Sequence, residues 1–312
     1  MFDENSLIWH NGEYKNWRDA TLHVMSHVVH YGSSLFEGIR CYNKESAGPV
    51  VLCLQEHIRR LYRSAKIYRI EIPFSEAELI SASLGVVQKN GLQDAYIRPV
   101  VYRGYGSLGV DPGENTPVEV AVAAWSWGAY LGESALKDGV DACVASWQKL
   151  RPNTLPALSK AGGHYLGSQL VKMEARRHGY AEGILLDANG FVSEGSGENL
   201  FLILDGRCYT PPVSASILPG ITRKCVMTLA DELGLSVEET YIPRDMLYIA
   251  DELFFTGTAA EITPVRSVDR IDVGNGKPGE WTQAIQRRFF DIISGTAGDE
   301  YNWLTPVSSF SG

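Results

Sequence analysis

Two Asn-Gly pairs, Asn11-Gly12 and Asn189-Gly190, each lie between short apolar-rich runs. A type I′ turn needs positive φ at both central residues, which Asn and Gly tolerate, so each pair predicts a β-hairpin. Helix punctuation recurs around them. Ser75-x-x-Glu78 is a capping box opening a helix that Gly91 stops. Glu56 to Ile67 sets Ile58, Leu61 and Ala65 on one side, with Arg59, Arg60 and Arg63 around them. Further helices are predicted after Gly163, with Leu166, Leu170 and Met173 on one stripe, from a Thr222 cap to Leu233, and from Trp281 to Ile293. Strands are predicted over Gly32–Tyr42, Ala95–Tyr102, Val118–Ala124, Val140–Trp147, Asn199–Leu204 and Glu252–Thr256. Strands mixed with helices imply an α/β (α+β) chain of two domains. A small N-terminal domain covers 1–124, an aromatic, Gly-broken linker 125–137, and a larger C-terminal domain 138–312.

Composition narrows the function. Lys and Arg number 28 against 37 Asp and Glu, a formal net charge of −9, and no basic run forms a nucleic-acid footprint. The five Cys are scattered without CxxC spacing and read as reduced core thiols of a cytosolic protein. Met1-Phe-Asp-Glu-Asn lacks the basic start and apolar run of a signal peptide. The longest apolar stretch, Val120 to Leu131, is too short for a membrane span. His23, His27 and His30 invite a metal, but no neighbouring carboxylate or Cys pair completes a ligand set, so no metal site is expected. Gly104-Tyr-Gly-Ser-Leu-Gly109 does not open a helix and is not read as a dinucleotide loop.

Lys160 lies in Asn153-Thr-Leu-Pro-Ala-Leu-Ser-Lys-Ala-Gly-Gly-His-Tyr165, with no other Lys or Arg between Arg151 and Lys172. An ammonium among small and apolar groups loses hydration and yields the free amine more readily, which Schiff-base chemistry requires. The alternative is a helix-start Lys in solvent. Pyridoxal phosphate would need such an amine, a carboxylate at its ring nitrogen and donors for its phosphate. Glu194 is a candidate carboxylate. Leu218-Pro-Gly-Ile-Thr-Arg flows into a helix N-terminus, where phosphates bind, and Thr256-Gly-Thr-Ala-Ala is a second small-residue turn. Either Arg59 or Arg60 could add a cation. Each feature also has a bland reading as an ordinary cap, turn or solvated charge.

Taken together, the blocks His30-Tyr-Gly-x-x-x-Phe-Glu-Gly-Ile-Arg, His57-x-x-Arg60-Leu-x-x-Ser, Ala95-Tyr-Ile-Arg-Pro, Lys160-Ala-Gly-Gly-x-Tyr165, Glu194-Gly-x-Gly-Glu-Asn, Leu218-Pro-Gly-Ile-Thr-Arg and Gly257-Thr-Ala-Ala-Glu-Ile-Thr-Pro-Val resemble the branched-chain amino acid aminotransferases. These are fold-type-IV pyridoxal 5′-phosphate enzymes, and the likeness runs from about Leu7 to Phe290. One departure is His164, where the family more often has Asn. The resemblance implies a cofactor in the interdomain cleft. It makes Lys160 the catalytic residue that forms the Schiff base and moves the proton. Glu194 pairs with the ring nitrogen and Tyr165 with the 3-hydroxyl oxygen. Arg60, chosen over Arg59, holds the phosphate with Leu218, Gly220, Ile221, Thr222, Gly257 and Thr258, while Glu198 and Asn199 support that shell. Tyr96 and the N–H groups of Thr258 and Ala259 hold the substrate carboxylate. Tyr31, Phe36, Gly38, Trp127 and Tyr130 line the side-chain pocket, and Arg98 receives the distal carboxylate of glutamate.

The implied reaction moves the amino group of L-leucine, L-isoleucine or L-valine to 2-oxoglutarate, in biosynthesis or breakdown of these amino acids. Tyr96 and Arg98 favour it over a D-amino acid or (R)-amine aminotransferase or an aminodeoxychorismate lyase. Lys160, Glu194 and Tyr165 together argue against a non-catalytic vitamin-B6 carrier. A cytoplasmic homodimer, or a larger assembly of dimers, is expected, with small-molecule substrates and neither nucleic acid nor membrane as partner.

Overall fold

The computed structural model describes residues 3–44, 48–128 and 132–310, so Tyr130 lies outside the described residues. In chain order the strands are β1 (Leu7–His10), β2 (Glu13–Asn16), β3 (Ser34–Phe36), β4 (Ile39–Lys44), β5 (Gly48–Leu52), β6 (Ala95–Arg103), β7 (Val118–Ser126), β8 (Val140–Gln148), β9 (Glu182–Leu186), β10 (Val192–Gly195), β11 (Asn199–Leu204), β12 (Arg207–Thr210), β13 (Val237–Glu239), β14 (Glu252–Gly257), β15 (Glu261–Val268), β16 (Ile271–Asp272) and β17 (Leu304–Pro306). The helices are α1 (His27–Tyr31), α2 (Leu54–Ile67), α3 (Glu76–Lys89), α4 (Glu133–Asp138), α5 (Tyr165–Arg177), α6 (Ile221–Glu232), α7 (Met246–Ile249) and α8 (Glu280–Ser294).

Two compact units result. The first gathers Met1–Gly128, Ser159–Gly163 and Ile292–Gly312, the second Ala129–Leu158 and His164–Asp291. This division is not contiguous, unlike the boundaries drawn from sequence. Long-range pairing explains it: Leu35 bridges Ala161, and β17 adds to the edge of β5.

Among the described residues the first unit holds an eight-stranded sheet, ordered β17-β5-β4-β6-β7-β1-β2 with β3 on β6. Its first hairpin forms as predicted, with Asn11 and Gly12 at φ 50° and 94°. Against the sheet, α2 buries Leu54, Ile58, Leu61 and Ala65, and α3 buries Leu79, Ala82 and Val86. Each buried Leu, Ile or Val side chain contributes about 1.5–3 kcal/mol when removed from water. The run expected as one strand over Gly32–Tyr42 is broken: β3 stops at Phe36 and β4 starts at Ile39. The intervening Glu37 is fully buried, and its carboxylate turns to Arg60 and His57 on α2. His27–Tyr31 forms the short α1, with the His27 ring nitrogens on Ser33 Oγ and the Gly109 carbonyl. Strand β7 outruns its predicted end at Ala124 and brings Trp125 opposite Tyr96.

The second unit's sheet, nine-stranded among the described residues, is ordered β10-β9-β8-β15-β14-β11-β12-β13, with β16 on β15. It is parallel at β8/β9, β8/β15 and β12/β13. The second hairpin turn is wider than two residues. Asp187 Oδ1 accepts the N–H groups of Asn189 and Phe191, and Gly190 alone of the Asn-Gly pair takes positive φ, at 88°. Gly220, not Thr222, caps α6; Thr222 sits inside the first turn and is buried. On α5, Leu166, Leu170 and Met173 point outward, while Val171 and Ala175 face the interior. No helix among the described residues is long and apolar enough to cross a membrane.

The capping box of α3 is formed on both sides: Ser75 Oγ accepts the Glu78 N–H, and the Glu78 carboxylate accepts the Ser75 N–H at 2.7 Å. Ser75→Ala should cost about 1 kcal/mol, read as a lower urea midpoint.

Candidate active site

In the first unit, Lys160 is held at its backbone. Its N–H donates to Ser64 Oγ at 3.0 Å, and its carbonyl accepts the Phe36 N–H at 3.1 Å. Gly162 permits this approach, because a Cβ there would lie 2.3 Å from Ser34 Oγ. The Lys160 ammonium lies 5.1 Å from the centre of the Phe36 ring, and the Arg98 guanidinium 4.6 Å from the same centre. One ring thus gathers the two cations for which sequence reading proposed different tasks. Arg98 also lies 5.4 Å from the Tyr96 ring, and its buried Nε has no hydrogen-bond partner among the described residues. The Tyr96 ring meets Trp125 and Trp127 at 5.4 and 5.2 Å. Its hydroxyl fills the space over Gly38, where a Cβ would lie 1.9 Å away.

Arg60 is nearly buried and paired side-on with Glu37, Nε to Oε1 at 2.7 Å and Nη2 to Oε2 at 2.8 Å. His57 Nδ1 lies 2.7 Å from Oε2. Burial alone would raise the Glu37 proton affinity, but Arg60 and His57 outweigh it and hold the carboxyl well below the usual range. Burial lowers the His57 pKa against the opposing pull of Glu37, which favours the neutral ring. An ionised carboxylate only accepts, so His57 donates from Nδ1. Tyr31 engages a different set: its hydroxyl donates to the Leu108 carbonyl at 2.6 Å, and its ring packs on His27.

The second unit brings its own candidates together. Glu194, on β10, accepts from Asn199 Nδ2 at 3.1 Å and the Leu218 N–H at 2.9 Å through Oε2. Its Oε1 pairs with Lys149. Asn199 also donates to the Leu218 carbonyl at 2.9 Å, tying β11 to the turn that opens α6. A Cβ on Gly220 would lie 2.0 Å from Asn199 Oδ1, so only glycine fits. Across the ladder Asn199 faces Thr256, which leads into Gly257, Thr258 and Ala259. Gly257 backs onto Glu198, whose Cγ would lie 3.6 Å from a Cβ there. Tyr165 opens α5.

Glu37, Ser64 and Lys149 were not singled out from sequence as acting on this site. The i, i+3, i+7 spacing of His57, Arg60 and Ser64 does place all three on one face of α2. Nothing local marks Lys149, which is 45 residues from Glu194.

Glu198 behaves differently from Glu37. Burial pushes its carboxyl up, the nearby Glu182 charge adds to this, and its pKa reaches about 8 despite Lys172 and the Gly197 N–H. Its neutral form is therefore favoured by folding. The associated stability is complete below the unfolded pKa near 4.5 and is lost as pH rises towards about 8. Across that window each step of one pH unit costs the parent up to about 1.4 kcal/mol. Glu198→Gln, which mimics the neutral acid, should therefore lose less stability than the parent between pH 5 and 8. Thermal unfolding across that range checks this.

The chain matches the amino-transferase class IV family over residues 34–268. It is 54% identical over 302 residues to the branched-chain-amino-acid aminotransferase of Salmonella typhimurium, covering 97% of each chain. The crystal structure of the Escherichia coli branched-chain amino acid aminotransferase matches with a TM-score of 0.95 at 53% identity, over 97% of this chain and 99% of that one. The T.th. branched-chain amino acid aminotransferase complexed with N-(5′-phosphopyridoxyl)-L-glutamate matches with a TM-score of 0.93 at 43% identity, over 97% and 99%. With a sequence this alike over nearly its whole length, the chain belongs to the branched-chain-amino-acid aminotransferases of the class IV aminotransferase family.

Proposed function

We propose that this protein transfers the amino group of L-leucine, L-isoleucine or L-valine to 2-oxoglutarate, giving the 2-oxo acid and L-glutamate, with pyridoxal 5′-phosphate as cofactor. The 54% identity over 302 residues carries this reading. The T.th. relative complexed with a phosphopyridoxyl-glutamate adduct supports both the cofactor and the acceptor.

The residues suit that cofactor. Thr256 Oγ1 is buried without a hydrogen-bond partner among the described residues, directly before the Gly257-Thr258 turn. The first N–H groups of α6 have no intrahelical acceptor, as at any helix start, and together such donors suit a phosphate. Arg60, Leu218, Gly220, Ile221, Thr222, Gly257 and Thr258 would hold it. Glu194, oriented by Asn199 and Leu218, would hold the ring-nitrogen proton, and Tyr165 would donate to the 3-hydroxyl oxygen. Glu198 would support this shell as a buried neutral acid. When bound, the cofactor supplies an aldehyde carbon for the Lys160 amine and a ring that accepts electron density.

Lys160 would take the proton from the substrate α-carbon as general base and hand it back as general acid. The Tyr96 hydroxyl and the N–H groups of Thr258 and Ala259 hold the substrate carboxylate. Phe36, Gly38, Trp127 and Tyr31 would surround the side chain and exclude water. An aliphatic side chain stops short of Arg98; the longer glutamate chain reaches it, so one pocket serves both partners. Five buried Cys, none in a disulfide, fit a cytoplasmic protein. A homodimer or an assembly of dimers goes with the family resemblance, and the reaction serves biosynthesis or breakdown of branched-chain amino acids.

Lys160→Ala should abolish transfer from L-leucine with the circular dichroism spectrum unchanged; a variant with the full rate would refute the mechanism. Activity on L-leucine but not D-alanine should separate this reading from D-amino acid transfer. Arg98→Met should raise KM for 2-oxoglutarate roughly tenfold or more, while the leucine half-reaction stays within about threefold.

A further inference from the structure

Glu37 has no solvent exposure, sits between β3 and β4, and anchors its N–H on the Pro99 carbonyl at 2.9 Å. Both carboxylate oxygens are bonded to α2: Oε1 to Arg60 Nε, Oε2 to Arg60 Nη2 and His57 Nδ1. We propose that Glu37 is a positioning residue for Arg60, fixing the plane and reach of the guanidinium so that it meets the phosphate of the cofactor. The proposal rests on the reading above, in which Arg60 holds that phosphate.

Three features support it. An Arg side chain has several rotatable bonds, and a carboxylate fork that takes Nε and Nη2 in parallel fixes the plane of its head. The side-on pair uses one edge of the guanidinium and turns Nη1 away from Glu37, so another anion must approach from elsewhere. His57 donates to the oxygen that also takes Nη2, which stops the carboxylate from rotating. The same segment joins this brace to the reactive amine: Phe36, next to Glu37, donates its N–H to the Lys160 carbonyl, and Ser64, one turn beyond Arg60 on α2, accepts the Lys160 N–H.

The test uses the full-length protein stripped of cofactor. Dissociation constants of pyridoxal 5′-phosphate and of pyridoxal, which lacks the phosphate, are read from the Schiff-base absorbance. The variants are Glu37→Gln, Glu37→Asp, Arg60→Gln and the Glu37→Gln/Arg60→Gln double. Glu37→Gln should weaken pyridoxal phosphate roughly tenfold or more and pyridoxal less than about twofold, as expected when the partner that orients a ligand-binding group is lost. Glu37→Asp, which keeps the charge, should recover part of the preference for the phosphorylated form. In the Arg60→Gln background, Glu37→Gln should add no further loss of that preference.

Equal weakening of both ligands, an unchanged preference, or a full additional loss in the Arg60→Gln background would each overturn the proposal. If Arg60→Gln itself keeps the preference, the phosphate assignment of Arg60 fails, and the proposal with it. If Glu37→Gln does not fold, Glu37→Asp decides: weakening selective for the phosphorylated ligand supports the brace, and unselective weakening or none overturns it.

Discussion

The first unit is organised around a charge that water never reaches. Transferring an isolated carboxylate out of water is prohibitive, so Glu37 can exist where it does only with Arg60 and His57 against it. Removing one member of such a buried pair typically costs about 3–5 kcal/mol, because the other is left uncompensated. This requirement shapes the backbone. To face α2, the chain leaves its ladder after Phe36 and rejoins a strand at Ile39. The gap places the Phe36 ring under two cations and leaves Gly38 beneath the Tyr96 hydroxyl.

The second unit solves a related problem with more groups. Glu182, Glu194 and Glu198 are all buried, and two lysines answer them: Lys172 on Glu182 and Lys149 on Glu194. Among the described residues Glu198 has no lysine in an ion pair with it and instead favours its proton, which keeps the cluster near neutrality. The frame around the cluster is apolar. Phe201 on β11 and Phe254 on β14 are directly opposed, with parallel rings 5.2 Å apart, and help fix the register that sets Asn199 across from Thr256.

Local features were legible in the sequence, and long-range ones were not. The limits of α3 follow from Ser75, Glu78 and Gly91, whose effects span a single turn of chain. The cap of α6 lies two residues before the expected one, since a glycine cap leaves no side-chain signature and Thr222 resembles a cap. The periodicity of Leu166, Leu170 and Met173 identifies one face of α5 but carries no information on whether that face meets core or solvent. Sequence order puts the Lys160 segment with the residues around it; its pairing with Leu35 depends on closure over more than a hundred residues, which no local pattern encodes. Most of the residue assignments at the candidate site came from family blocks. What the blocks did not carry was the physical linkage among them, such as Asn199 joining Glu194 to Leu218.

Gly38 has a consequence for how this protein can change. The room a methyl group would need is already filled by an oxygen 1.9 Å from where that carbon would stand. Any larger residue there must evict the Tyr96 ring from its seat against Trp125 and Trp127. A lineage drifting towards bulkier or smaller substrates therefore has no gradual path through position 38. It must alter the neighbouring aromatic walls first, and the glycine stays behind as a fixed gauge.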